Sequence, residues 1–421
     1  MFKFLAKGLL RDRTRSFFPI LIIASGVMLT VLVYSWMSGF SVMLIYESAR
    51  FKTGHVKIVT NAYNELIDQK PYDLGLMNVD DKIETLSSEY PDVHWQPRIY
   101  FGGLLDLPDE KGETLSQGEV IGFGVDLFTD SFEHDLLNLE EALTAGSLPT
   151  KNGEILISQE IAEKLDINIH DVVTIIGSTM YGSMAMDNFT VSGMILFGVQ
   201  AMDRGAIIVD ISDVRSFLDM ENSASEILGF LPTYNETKTF EISTAFNETY
   251  FDEDDEFSEI MIPLRTQGQM EYLIATLEGY MTLFIFVFIF IMSLVLWNSG
   301  LMKGIRLYGE VGVRLAIGES KGHIYRSLIY ESILIGIAAT IIGTSIGLVF
   351  SYLLQYHGIN IGSMMKDSQM IMGATMRAQV TPVSYYIGFI PGVIASVIGA
   401  MISGVGIYRR NTAQLFKELE T

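Results

Sequence analysis

The chain has 421 residues, of which 49% are hydrophobic, and it carries a formal net charge of −22 without a single cysteine. The missing cysteines exclude a disulfide-stabilised fold and a thiolate metal site, and the strong negative charge argues against nucleic-acid binding through phosphate contacts. The hydrophobic residues are concentrated in a few long segments, which indicates a membrane protein.

Four segments without charged side chains are long enough to cross a bilayer, because a spanning helix needs about 20 apolar residues. They cover residues 17–46, 279–302, 332–365 and 378–408. They predict a membrane α-helical protein with four transmembrane helices and a large α+β domain inserted between helices 1 and 2, which we call the inserted domain. The predicted parts are a cytoplasmic amphipathic lead-in helix at 1–16, transmembrane helices at 17–40, 273–298, 327–354 and 383–408, the inserted domain at 41–272, a cytoplasmic connection at 299–326, an outer loop at 355–382 and a cytoplasmic tail at 409–421.

Lysine and arginine indicate the orientation, because short loops rich in these residues stay on the cytoplasmic side. They are frequent before the first segment, between the second and third, and after the fourth, whereas the outer loop has only Lys366 and Arg377. We therefore expect both termini in the cytoplasm and the inserted domain outside. Residues 47–272 hold 42 acidic and 13 basic side chains, an excess that we interpret as solubility charge.

The first helix has two features outside the membrane. Phe2, Leu5, Leu9 and Leu10 can share one face of the lead-in helix, with basic residues opposite. Such a helix can lie in the membrane interface, or its basic residues can be a plain positive-inside flank, and both interpretations stay open. At the other end no helix breaker occurs before about Arg50, so the helix is expected to continue past the bilayer.

Alternating apolar residues predict short strands in the inserted domain, at 54–60, 98–102, 119–125, 154–158, 172–176, 189–194 and 206–210. Helices are predicted at 79–90, at 159–165 with Ser158 as the N-cap, and at 211–220 with Ser212 as the N-cap candidate. His55 is expected at the surface or in a capping position, not as a metal ligand. The acidic run 252–256 lacks the spacing of a calcium loop and is interpreted as a solvated loop.

The third and fourth apolar segments carry small residues at helical spacing, which let helices approach closely in lipid. We expect helix-packing contacts at Gly336, Gly343, Gly347, Gly392 and Gly399. Pro391 is expected to kink the fourth helix. No ionisable group lies in the middle of any segment, so the sequence indicates no ligand pathway through the spans.

The chain contains no P-loop and no H-E-x-x-H motif. The energy for any transport must therefore come from a partner, or the protein is a receptor. The basic connection between the second and third spans is the candidate site for such a partner. Its pattern consists of Glu310, Gly312, Arg314, Ala316, Gly318 and Ile324, with Glu331 in the next helix.

This pattern resembles the coupling segment of the FtsX-like permeases of ABC systems, a family that includes the lipoprotein-releasing LolC/LolE-type permeases and the MacB-type exporters. Its members have the same order of one span, a large outer domain and three further spans. Residues 146–149, 153–157 and 171–175 are similar to the family's G-x-L-P, G-E-I-x-I and D-x-V-x-I elements, although His170 stands where the family usually has glycine. Residues 7–11, 38–40 and 54–56 resemble the lipoprotein-releasing branch.

The resemblance implies that the inserted domain is a MacB-like periplasmic core domain and that the chain is a non-catalytic subunit in the bacterial inner membrane. Two permeases, identical or paralogous, would work with two copies of an ABC ATPase. That ATPase would bind ATP and Mg²⁺, and this chain itself would bind no cofactor. Residues 316–325 would contain the coupling helix, a short amphipathic helix ended by Gly318 or Gly322, with Arg314, Lys321 and Arg326 available to pair with acidic residues of the ATPase.

The resemblance leaves several functions open. The leading hypothesis is release of lipoprotein cargo from the inner membrane, driven by ATPase movements that reach the periplasmic domain. The alternatives are MacB-like efflux through a periplasmic adaptor, FtsX-like regulation of a cell-wall hydrolase, and a receptor without any ATPase. The regulator usually has a smaller outer domain, and a receptor would not need the coupling pattern.

Overall fold

The computed structural model describes residues 13–109, 111–128, 131–197, 200–268, 270–306, 308–360 and 375–409. These residues form two compact units. One contains the apolar helices, and the other, Leu44–Ile274, is the inserted domain. Most of the predicted lead-in helix and the tail from residue 410 onward lie outside the described residues.

Helices occur in both units. The α-helices are α1 (Arg13–Ser48), α2 (Asn61–Glu65), α3 (Val79–Glu89), α4 (Phe132–Leu137), α5 (Leu139–Ala142), α6 (Gln159–Leu165), α7 (Gln200–Asp203), α8 (Ile211–Phe217), α9 (Glu236–Tyr250), α10 (Met270–Arg306), α11 (Tyr308–Ala316), α12 (Lys321–His357) and α13 (Ser396–Arg409). Single 3₁₀ turns are present at Tyr72–Leu74, Leu264–Thr266 and Pro382–Tyr385, and π-helical turns at Ala49–Thr53 and Ile390–Ala395.

Four helical segments are long and apolar enough to cross a membrane: Phe17–Thr53, Met270–Asn298, Lys321–His357 and Pro382–Val405. The predicted architecture of four spans with a domain between the first and second is confirmed. The fourth span contains the π-helical turn Ile390–Ala395, which includes Pro391. Because proline has no N–H to donate, it interrupts the regular hydrogen-bond ladder at the point where the sequence predicts a kink.

The predicted packing glycines lie where the span helices touch. A Cβ atom added to Gly343 of α12 would lie 2.5 Å from the carbonyl oxygen of Ala24 and 2.9 Å from Cβ of Val27, both in α1. Only a hydrogen atom fits there, so the two helices are in direct backbone contact. The remaining positions make equivalent contacts: Gly347 with Val31, Gly336 with Gly392 and Ser396, Gly392 with Thr340 and Val27, and Gly399 with Trp297.

The inserted domain is built on a ten-stranded sheet. The described strands are β1 (Val56–Thr60), β2 (Leu76–Met77), β3 (His94–Pro108), β4 (Thr114–Val125), β5 (Leu143–Gly146), β6 (Glu154–Ser158), β7 (Val172–Ser178), β8 (Met184–Ile195), β9 (Ala206–Asp210), β10 (Ser223–Ala224), β11 (Glu226–Phe230), β12 (Glu259–Pro263), β13 (Ile359–Asn360) and β14 (Thr375–Met376), of which β13 and β14 belong to the span unit. The order in the large sheet is β12-β1-β11-β3-β4-β9-β6-β8-β5, and β7 pairs with β3 and β8. The parallel pairs in this sheet are β4–β9 and β6–β8.

Two predicted helix starts differ in their outcome. The Ser158 hydroxyl accepts a hydrogen bond from the N–H of Ile161, as an N-cap should. The prediction of Ser212 as a cap is wrong. Asp210 caps α8 instead, since its carboxylate accepts hydrogen bonds from both the N–H and the hydroxyl of Ser212. An aspartate at the end of a buried strand can reach the first free N–H groups of the helix without further rearrangement.

His55 is buried, so the expectation of a surface position is wrong. Its Nδ1 accepts a hydrogen bond of 2.9 Å from the N–H of Leu231. Burial lowers the pKa of His55 to about 4, which keeps the ring neutral. The acidic run 252–256 is exposed, and the described residues contain no group of three His, Asp or Glu side chains that could hold a metal ion.

Candidate coupling segment

The connection between the second and third spans folds as a short helix, α11, followed by a tight turn and the start of α12. The turn has the geometry of a Schellman motif. The N–H of Gly318 donates to the carbonyl of Leu315 at 3.1 Å, and the N–H of Glu319 donates to the carbonyl of Arg314 at 3.0 Å. Gly318 has φ +96°, a conformation that side chains other than glycine rarely adopt, and it therefore ends α11.

An apolar contact holds α11 against α12. Val311 and Ile324 are 3% and 1% exposed, and Leu315 and Leu328 pack around them. The two residues on each helix are four positions apart, so each helix presents one apolar face to the other. Since both faces are covered within the chain, the turn between the helices is held in place rather than free.

The outward side of this turn is apolar at its tip and has basic residues at its flanks, and the one acidic residue of the turn, Glu319, lies 3.6 Å from His323. Ile317 is 81% exposed and Val313 is 43% exposed. Arg314 and Lys321 are half-buried beside the turn, and Arg326 is exposed one turn further along α12. An exposed isoleucine on a rigid turn with cations around it suits insertion into an apolar groove that has acidic residues at its rim.

The structure divides the predicted coupling residues among three elements. Glu310, Gly312, Arg314 and Ala316 lie in α11, Gly318 lies in the turn, and Lys321, Ile324, Arg326 and Glu331 lie in α12. The contacts of the Glu310 side chain lie outside the described residues, whereas Gly312 is buried and Glu331 is half-buried.

The predicted coupling helix at 316–325 is wrong as a single helix, whereas Gly318, one of its two expected ends, does end a helix. Ala316 is the last residue of α11, and residues from Lys321 onward already belong to the 37-residue α12. The physical reason is the positive φ of Gly318, which no helix interior can contain. The short helix of the connection is α11, and the turn after it is what the segment exposes.

Sequence reasoning missed the side chains that hold the segment in place. Val311, Leu315 and Leu328 were not among the predicted site residues, although the four-residue spacing of Val311 from Leu315 could have indicated a packed face. Tyr325 was missed as well. Its ring lies so close to Gly404 of α13 that an added Cβ would be 2.6 Å from Cδ2 of Tyr325, which ties the start of α12 to the fourth span.

Comparisons with known proteins divide the chain in the same way. Residues 16–272 match the MacB-like periplasmic core domain, and residues 282–412 match the C-terminal domain of FtsX-like permeases. The crystal structure of the periplasmic region of MacB from Actinobacillus actinomycetemcomitans is similar at 13% identity and a TM-score of 0.37, and the alignment covers 53% of this chain and 95% of that one. No curated protein matches the sequence.

Proposed function

Because the chain belongs to the family of FtsX-like permeases with a MacB-like periplasmic core domain, we propose that it transmits the movements of a separate ABC ATPase across the bacterial inner membrane to its inserted domain. Permeases of this family are non-catalytic membrane subunits that work with an ABC ATPase. In the proposed complex, two copies of the ATPase bind ATP and Mg²⁺, and a second permease, identical or paralogous, completes the membrane part.

The exposed turn at Ile317 is the observation that carries this proposal. It is presented on two helices whose facing sides are already buried against each other. A partner that pushes on this turn therefore displaces α11 and α12 together. Because α12 is one continuous helix from Lys321 to His357, the displacement passes directly into the third span. This arrangement supports an orientation with the segment and both termini in the cytoplasm.

For the cargo, we propose lipoprotein release from the inner membrane. The resemblance of residues 7–11, 38–40 and 54–56 to the lipoprotein-releasing branch supports this choice. The uncharged middle of each span supports it too, since a cargo handled outside the membrane needs no polar pathway through it. MacB-like efflux with a periplasmic adaptor and regulation of a cell-wall hydrolase are the alternatives, and the proteins that associate with the inserted domain distinguish the three.

A site-specific cross-link tests the docking directly. The chain has no cysteine, so Ile317→Cys introduces a unique site for a photoactivatable maleimide. Tyr356→Cys is the matched control, because Tyr356 is 78% exposed and lies near the other end of α12, about 50 Å away at 1.5 Å per residue. The proposal predicts a cross-link to a P-loop ATPase from position 317 and none from position 356. Equal cross-linking from both positions, or an ATPase cross-link from neither, contradicts it.

A further inference from the structure

The last turn of the first helix is held by side chains of the inserted domain. After α1, the chain continues through the π-helical turn Ala49–Thr53, whose first carbonyl, that of Ala49, accepts a hydrogen bond from the N–H of Gly54. Side chains of the domain donate to three of the carbonyls that follow. Arg98 of β3 donates from Nη1 to the carbonyl of Phe51 at 3.0 Å and from Nη2 to the carbonyl of Arg50 at 2.7 Å. Gln267 donates from Nε2 to the carbonyl of Thr53 at 3.0 Å.

Arg98 is itself fixed by a second set of bonds. Its Nε and Nη2 each donate to one carboxylate oxygen of Glu133 at 2.8 Å, which makes a bidentate pair. Arg98 is 1% exposed and Glu133 is fully buried. A buried pair of this kind contributes little net stability, because the lost hydration of both ions offsets their attraction. It is specific in geometry, because each buried ion depends on the hydrogen bonds that remain.

The same place joins the chain segments on either side of the inserted domain. Ala49, Leu264 and Ile274 are buried together, with Ile45 and Met270 packed against them. Ile45 belongs to α1, and Met270 and Ile274 belong to α10, the helices that carry the first and second spans. The end of α1 and the start of α10 therefore pack together at one place in the inserted domain. Arg98 donates its hydrogen bonds to the chain next to this place.

We propose that Arg98 is a positioning residue of the transmission path, which locks the end of α1 to β3 so that a displacement of the helix moves the whole inserted domain. This inference rests on the proposed function, since it names the joint through which the ATPase movement reaches the domain. A planar guanidinium is suited to the task because it bonds two helix carbonyls and a carboxylate at once, which a lysine ammonium on a flexible stem cannot reproduce.

The domain contains a matched control, a second buried ion pair that makes no hydrogen bond to the helix end. Nζ of Lys57 lies 2.6 Å from Oε2 of Glu226, and the two side chains are 2% and 0% exposed. Glu226 also accepts a hydrogen bond from the hydroxyl of Tyr63. The variant Lys57→Met/Glu226→Gln removes this pair while keeping an acceptor for Tyr63. Because Glu226 of β11 lies directly opposite Arg98 in the register with β3, the variant changes the buried charge next to Arg98 but leaves the hydrogen bonds from Arg98 to the helix end in place.

Hydrogen exchange of the full-length protein in nanodiscs tests the joint itself. Arg98→Met/Glu133→Leu removes both ions and leaves apolar side chains, and Arg98→Lys keeps the ion pair, so at least one of the two variants should fold. We expect amide exchange at residues 52–56 to become about tenfold faster in the double variant and to rise less in Arg98→Lys, with no change there in the Lys57/Glu226 variant. Equal exchange in all proteins, or equal acceleration by the control, overturns the inference.

A distance measurement tests the functional part. Spin labels at Tyr46→Cys on α1 and Glu84→Cys on α3 report whether the helix end moves relative to the domain. In the complex of the protein carrying an intact Arg98–Glu133 pair with its ATPase, the distance between the labels should be the same with and without ATP and vanadate. In Arg98→Met/Glu133→Leu, the distance should change when nucleotide is added, while ATP hydrolysis continues. A nucleotide-dependent shift in the unmodified joint, or none in the variant while ATP is hydrolysed, overturns the inference. If no ATPase associates at all, the proposed function fails, and the exchange experiment still decides the joint.

Discussion

Replacing Gly318 by alanine should weaken ATPase docking without affecting the fold. Gly318 has φ +96°, and an added Cβ would meet no atom within 4 Å, so the cost of Gly318→Ala is purely conformational. A side chain in the left-handed region costs about 1–2 kcal/mol. This corresponds to a factor of about 5–30 in the equilibrium between the observed turn and other conformations. If the ATPase recognises only the observed turn, its apparent Kd for the permease should rise by up to that factor, because the apparent Kd is inversely proportional to the fraction of molecules that hold the turn.

Titrating the purified ATPase onto the permease in nanodiscs measures this effect. Gly112→Ala is the matched control, because Gly112 has φ +82° and open space around it but lies in a turn of the inserted domain. Both variants should lose similar stability, and Gly318→Ala alone should bind the ATPase more weakly. Wild-type affinity in Gly318→Ala, or equal weakening in both, would refute the assignment of the turn as the docking element.

Three further changes test other parts of the account. Arg314→Glu should abolish the stimulation of ATP hydrolysis by the permease while membrane insertion, measured by fractionation, stays normal. Gly343→Val should lower the unfolding temperature of the protein by overpacking at a cost of about 1–3 kcal/mol, whereas Gly279→Val, where nothing lies within 4 Å, should not. The pKa of His55 falls from 6.5 to about 4 on burial, so the stability of the inserted domain should be fully present above pH 6.5 and decline by up to about 3 kcal/mol as the pH falls to 4. His55→Asn should remove this part of the pH dependence in denaturant titrations.

The sequence predicts the strands in which apolar and polar residues alternate, or which have clear turn residues at their ends. β6 and β9 occupy the expected residues, because each is a five-residue apolar run with turn or cap residues at its ends. β11 was missed, since every residue of its EILGF run is buried and no alternation is visible. The following helix, α9, was missed for the opposite reason. It has few apolar residues, and only four of its residues are buried, so its sequence shows little helical pattern.

The candidate site was predictable in position but not in detail. The basic connection and a helix end at Gly318 were predicted, whereas the coupling helix was placed at 316–325 instead of Tyr308–Ala316. The buried face formed by Val311 and Leu315, which marks the helix before the glycine, was not recognised. The joint at Arg98 was not predictable. Arg98, Glu133 and Phe51 are far apart in the chain, and a single arginine in a strand is normally taken as a solvated charge.

Copurification decides whether this permease works with a separate ABC ATPase. Tagged protein is purified in mild detergent, the associated chains are identified by mass spectrometry, and ATP hydrolysis is measured on the eluate after reconstitution in lipid. We expect a P-loop ATPase in stoichiometric amount with active hydrolysis, together with a lipoprotein if the proposed cargo is right. An eluate without a nucleotide-binding chain and without hydrolysis in lipid would contradict the account and favour a receptor.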